Sequence, residues 1–156
     1  MKRTPLSRGT SQLKRAPLAR GTKKLSARAK THTNPWWRKQ AVAIAKLIAK
    51  YRDNYTCVTC GRTADSGYQM HGSHILPESK FLRESCNPEN IMCQCARCHM
   101  NWHENPIDSA IWFDREFPKR YNDLAIEAYN LSCETIKPDY EKITKSLKEQ
   151  YKALIN

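Results

Sequence analysis

The chain has 156 residues, about one domain's worth, and its 27 Lys and Arg against 15 Asp and Glu give a net charge of +12. Residues 1–50 hold 14 of the basic residues and no acidic one, so everything after them is close to neutral, at 13 against 15. The longest unbroken apolar run, Ala41 to Ala45, is far short of the roughly 20 residues that span a bilayer. No apolar segment follows the N-terminal charges, which argues against both a membrane span and a secretory signal.

The N-terminus repeats itself with a period of 12: KRTPLSRGTSQL from Lys2 is followed by KRAPLARGTKKL from Lys14. Each copy carries Pro and Gly, has neither helical nor strand periodicity, and is too charged to bury a face, so residues 1–33 read as a disordered, basic, flexible arm. Its ten cations, Lys2, Arg3, Arg8, Lys14, Arg15, Arg20, Lys23, Lys24, Arg28 and Lys30, are candidate contacts for nucleic-acid phosphates. Arg38 and Lys39 extend the set into the next element. A helix should start at Asn34-Pro35, with Asn as cap and Pro in the first turn, and run to about Arg52. Trp37, Ala41, Ile44, Ile48 and Tyr51 form its apolar stripe.

Seven cysteines, an odd number with four in C-x-x-C pairs, suggest a metal site rather than a disulfide framework. Cys57-Val-Thr-Cys60-Gly61 and Cys95-Ala-Arg-Cys98 make two thiolate knuckles suited to a tetrahedral structural zinc. Cys86, Cys93 and Cys133 have no obvious partners. The stretch from 55 to 105 is poor in periodicity and holds four of the five histidines: His71, His74, His99 and His103. His99 and His103, four apart, would share one face of a helix, the spacing that lets two imidazoles take one metal. After Pro106 helical patterns return. Ile111, Trp112, Phe113 and Phe117 lead to Tyr121, Leu124, Ala125, Ala128 and Tyr129, and beyond Pro138 the positions Tyr140, Ile143, Leu147, Tyr151 and Leu154 form a last stripe. That stripe could serve a homodimer or pack back on the central module.

His74-Ile-Leu-Pro77, Asn90-Ile, and Cys98-His99 with His103 resemble, in order and spacing, the three parts of an HNH (His-Me finger, ββα-metal) endonuclease of the subgroup braced by a four-Cys zinc. The whole chain resembles the phage NinG/Rap recombination nucleases, through its basic arm, the aromatic-led helix before C-x-x-C-G, the His-centred loop and the helical tail. The resemblance implies an α+β, mainly α fold. A small ββα-metal core, residues 34–105, would comprise a helix at 34–52 and knuckles and finger at 55–105, followed by a helical extension at 106–156. It further implies His74 as general base, Asn90 as the residue that ties the loop and orients that base, and a catalytic divalent ion on His99 and His103. Mg2+ or Mn2+ would be the first choice for that ion, with Ni2+ or Zn2+ open. DNA is the implied partner, branched recombination or replication intermediates the implied substrate, and the cytoplasm of a bacterial host the implied location.

Many members of that family carry an Asp or His just before the base, where this chain has Ser73. His71 is the nearest replacement ligand, but an odd offset in a regular strand points to the opposite face unless Gly72 permits a bulge. Two alternatives stay open: a homing or restriction-type HNH nuclease, and a non-catalytic zinc DNA-binding module.

Overall fold

The computed structural model describes residues 33–132 and 137–156, without the side chains of 131 and 132. The ten arm cations from Lys2 to Lys30, and Cys133, lie outside the described residues. The described chain is α+β and mainly helical, with one two-stranded antiparallel sheet. No helix among the described residues is long and apolar enough to cross a membrane.

Helix α1 (Asn34–Arg52) starts one residue earlier than its sequence suggests: Thr33, in extended conformation, occupies the cap position without a side-chain cap bond, and Pro35 falls in the first turn. Lys50 and Arg52 sit in the last turn, where the helix dipole favours cations. The buried set is Ala41, Val42, Ala45, Ile48 and Ala49, whereas Tyr51, at the end of the expected stripe, is 38% exposed. The wider, small-residue arc has a reason: α1 packs on α5 (Tyr140–Ile155) along one side and on the sheet along another. Tyr140 and Leu147 are buried in that contact, Ile143 and Tyr151 pack beside them, and Thr144 Oγ1 donates to Tyr140 O at 2.6 Å and reaches Trp37 O at 3.1 Å. Four residues of the last stripe thus pack back on the module, while the fifth, Leu154, is 40% exposed.

Strands β1 (Met70–His74) and β2 (Ile91–Cys95) pair in regular register, from Met70 opposite Cys95 to His74 opposite Ile91, with no bulge at Gly72. Period-two alternation sends Ile91 into the α1/α5 cluster and Met92 into a second cluster with Phe113 and Leu124, backed by Trp102, Trp112 and Phe117. Those partners come from α2 (Ala96–Glu104), α3 (Pro106–Glu116) and α4 (Pro118–Ser132). β2 is therefore buried on both faces. Its outer edge is closed by side chains and a loop: Cys93 N donates to Asp53 Oδ2 at 2.8 Å, Cys93 O accepts from Val58 N at 2.9 Å, and Ile91 O accepts from both Arg52 (2.8 Å) and Arg120 (2.7 Å). Desolvation, with Arg52 nearby, brings Arg120 down to about 10, which leaves it charged at neutral pH.

Gly72 sets the spacing of α1 over the sheet. A Cβ there would lie 2.7 Å from Lys46 Cγ and 2.8 Å from its Cβ, the near, stiff part of that side chain. Gly72→Ala would gain about 0.4–1 kcal/mol by restricting the unfolded chain, but overpacking costs about 1–3 kcal/mol and should win. The expected outcome is a net loss of stability on the order of 1 kcal/mol or more, read as a lower urea midpoint at unchanged slope.

Candidate functional site

The two knuckles come together. Cys57, Cys60, Cys95 and Cys98 place their sulfurs within 4.8 Å of one another, with Cys60 Sγ 3.8 Å from Cys95 Sγ. Tetrahedral zinc with bonds of about 2.3 Å needs sulfur separations of about 3.8 Å, so the donor set fits zinc as it stands. Local structure explains the convergence. In the first knuckle Gly61 N donates to Cys57 O at 2.8 Å, and Gly61 takes a left-handed φ of 71° that closes the turn. The second knuckle straddles a strand–helix junction, Cys95 ending β2 and capping α2. Gln94 Nε2 donates to Thr59 Oγ1 at 2.8 Å and ties one knuckle to the other. Desolvation raises the Cys95 thiol, but the Cys98 amide and the neighbouring sulfurs outweigh it and hold the group at about 7.

The histidines divide into two groups. His74 ends β1, buried, with Nε2 3.0 Å from Ser85 O. A carbonyl can only accept, so Nε2 carries the proton and Nδ1 keeps its lone pair. Burial lowers the His74 pKa below its ordinary value of 6.5, and the cations Lys46 and Arg38 push the same way. Asn90, fully buried, accepts from Leu76 N at 2.7 Å through Oδ1 and donates from Nδ2 to Glu84 O (3.0 Å) and Leu76 O (3.2 Å). One side chain thus pins both ends of the 76–84 loop whose continuation supplies the Ser85 carbonyl.

His71, His99 and His103 form a chain. His99 Nε2 lies 3.0 Å from His103 Nε2, and its opposite nitrogen, Nδ1, lies 3.0 Å from His71 Nδ1. The step of four puts the His99 and His103 imidazoles together on one side of α2. His71 meets the other nitrogen of His99, Nδ1. With no bulge at Gly72, it lies on the far side of that ring from His103. Burial first, then His103 and His71, bring His99 down to about 4 and keep it neutral. Ser73, the residue before His74, is fully buried, and its Oγ has no hydrogen-bond partner.

His74, His99 and His103 line one cavity of about 1000 Å³, together with Arg38, Lys46 and Glu78. Arg38 is half-buried there, whereas Lys39 is exposed. The sequence motifs point to neither Lys46 nor Glu78. Glu78 carries one faint signal, its place four residues after His74, and Lys46 looks like an ordinary charge off the apolar stripe. Cys86 and Cys93 are buried and take no part in the four-sulfur group.

Comparison with known proteins gives no match: no family model, no curated protein and no solved structure resembles this chain closely enough to count. The geometry of the site stands on its own.

Replacing Cys57 by Ser should release bound zinc and unfold the module, since metal binding free energy is folding free energy at such sites. Cys93→Ser should keep one zinc per chain. Metal analysis with circular dichroism checks both, and a Cys57→Ser protein that stays folded and metal-free would refute the zinc assignment.

Proposed function

We propose that this protein is a metal-dependent DNA endonuclease of the HNH type, selective for branched recombination or replication intermediates, in which β1, β2 and α2 form a zinc-braced finger. The observation that carries the reading is the state of His74. Its Nε2 proton is committed to Ser85 O, and its Nδ1 lone pair is on the side of Glu78, in a cavity shared with two further imidazoles and two cations.

In this reading His74 Nδ1 accepts a proton from a water, whose oxygen forms the new bond to phosphorus as the bond to the 3′ oxygen breaks. The Ser85 carbonyl steadies the imidazolium that results, and Asn90 holds the loop so that the carbonyl stays in place. Arg38 and Lys46 would receive the non-bridging phosphate oxygens. His99 and His103 would hold a divalent ion, which when bound supplies charge stabilisation at the phosphate and the departing oxygen. His71 would keep Nε2 of His99 turned toward that role. The basic arm would hold backbone phosphates; neutralising roughly six of them gives a log-log salt slope of about −5, tight binding without sequence readout. Selectivity for branched substrates rests on the likeness to the NinG/Rap nucleases.

The test is cleavage of four-way junction, flap and linear duplex of matched sequence, with added Mg2+ or Mn2+. Wild type should cut the junction best, and His74→Ala should lose at least about 100-fold in rate while still binding DNA. Unchanged activity in His74→Ala would favour a non-catalytic zinc module, and equal cutting of linear DNA a homing or restriction-type enzyme. Because the His74 pKa is depressed, the neutral base persists on the acid side, so the rate should rise with pH through a midpoint below 6.5. A midpoint above 6.5 in kcat/KM, which reports the free enzyme, would count against His74 as the titrating base. Removing residues 1–33 should weaken DNA binding and flatten its salt dependence, while leaving cleavage measurable at saturating enzyme in low salt.

A further inference from the structure

The cavity already contains an anion that belongs to the chain. Glu78 lies on the turn that follows β1, held there by the Lys80 and Phe81 amides, which donate to Pro77 O at 3.1 and 3.0 Å. Its Oε1 accepts from Arg38 Nη2 at 3.0 Å, and its Oε2 stands 3.7 Å from His74 Nδ1. A neutral imidazole with its proton on Nε2 offers no donor at that nitrogen, and 3.7 Å is too long for a hydrogen bond. Arg38, not His74, therefore holds the carboxylate, whose second oxygen is the one nearer the imidazole. Lys46, eight residues along α1 and on a similar face, lines the same cavity.

The pairing is incomplete in an informative way. Glu78 engages Arg38 through Nη2 alone, and Arg38 Nε is buried with no partner. Guanidinium forks prefer an anion that takes two parallel N–H donors, as a phosphodiester with two non-bridging oxygens can. The chain's own carboxylate takes one donor of the guanidinium, whereas a phosphodiester has two oxygens to offer it. The carboxylate is also local, tethered at an effective concentration on the order of millimolar or higher, so a free phosphate at low concentration cannot compete with it.

We propose that Glu78 is an internal substitute for the substrate phosphate: it sits in a phosphodiester seat made by Arg38 and Lys46 beside His74, and a backbone phosphate enters by displacing it. Glu78 is then a specificity-determining residue. It screens out isolated phosphodiesters and admits those on a polyanion held independently by other parts of the protein. This assignment rests on the nuclease reading only for the class of anion.

The test uses the full-length, zinc-loaded chain without added Mg2+ or Mn2+, titrated with dimethyl phosphate and read at the His74 imidazole by NMR. Glu78→Gln keeps a hydrogen-bond acceptor for Arg38 but removes the charge, and should tighten binding about three- to tenfold, as expected when a partly exposed ion pair no longer competes. The gain should vanish in the Arg38→Ala background, since the two effects share one partner. With short duplex DNA, Glu78→Gln should steepen the log-log salt slope by about one. A purely structural salt bridge predicts the opposite pattern, in which Glu78→Gln leaves affinity unchanged or weaker. That result, or a gain that survives Arg38→Ala, overturns the proposal. Cleavage by wild type is scored separately. Uncut DNA with the dimethyl phosphate pattern intact removes the nuclease reading and keeps the seat, whereas cut DNA with no effect of Glu78→Gln removes the seat alone.

Discussion

A two-stranded sheet is marginal in water, and everything chemical in this molecule hangs from one. β2 escapes that weakness by being enclosed: α1, backed by α5, covers one face, the α2 to α4 cluster the other, and Asp53, Arg52, Arg120 and the Val58 amide saturate its outer edge. A strand so enclosed cannot slip, because a shift of one residue would exchange Ile91 and Met92 between two different clusters. Asn90, at its start, and Cys95, at its end, inherit that fixity. The first pins the loop beside His74. The second anchors the thiolate group and launches the helix that carries His99 and His103.

The electrostatics of the cavity follow a single arrangement of charge with two effects. Burial and the cations of α1 disfavour a protonated His74, which keeps the imidazole basic in form at neutral pH. The same cations attract an anion to the same place. The depressed pKa of His74 and the placement of Glu78 thus share a cause in Arg38, which α1 carries over the sheet. The neutral state of His99 shares burial as its leading cause, with His103 and His71 adding to it.

Much of the framework is legible in the amino-acid sequence. The knuckles are written in C-x-x-C spacing with Gly61 behind the first, α1 in a recurrence of apolar residues after Asn-Pro, and the His99–His103 pair in a step of four. What cannot be read there depends on contacts distant in sequence. The small-residue side of α1 makes sense only with α5 and the sheet against it. The contact of His71 with Nδ1 of His99 joins residues 28 apart, a detail that strand parity suggests but does not decide. The Ser85 carbonyl leaves no trace in side-chain patterns at all, since any residue could supply it. Glu78 and Lys46 look like surface charges, because nothing local tells a solvated carboxylate from one drawn into a cavity by an arginine 40 residues away.

Gly72 bears on these electrostatics although it has no chemistry of its own. Its missing side chain lets the stem of Lys46 rest almost on the backbone of β1, so the height of a helix above a strand becomes the reach of a cation into the cavity. Coulomb attraction falls by about a fifth when a charge moves from about 4 to about 5 Å, and a single methyl group is enough to force a shift of that order. In this fold the electric field is adjusted by steric means, and the residue with the least to offer as a ligand governs how strongly the others act.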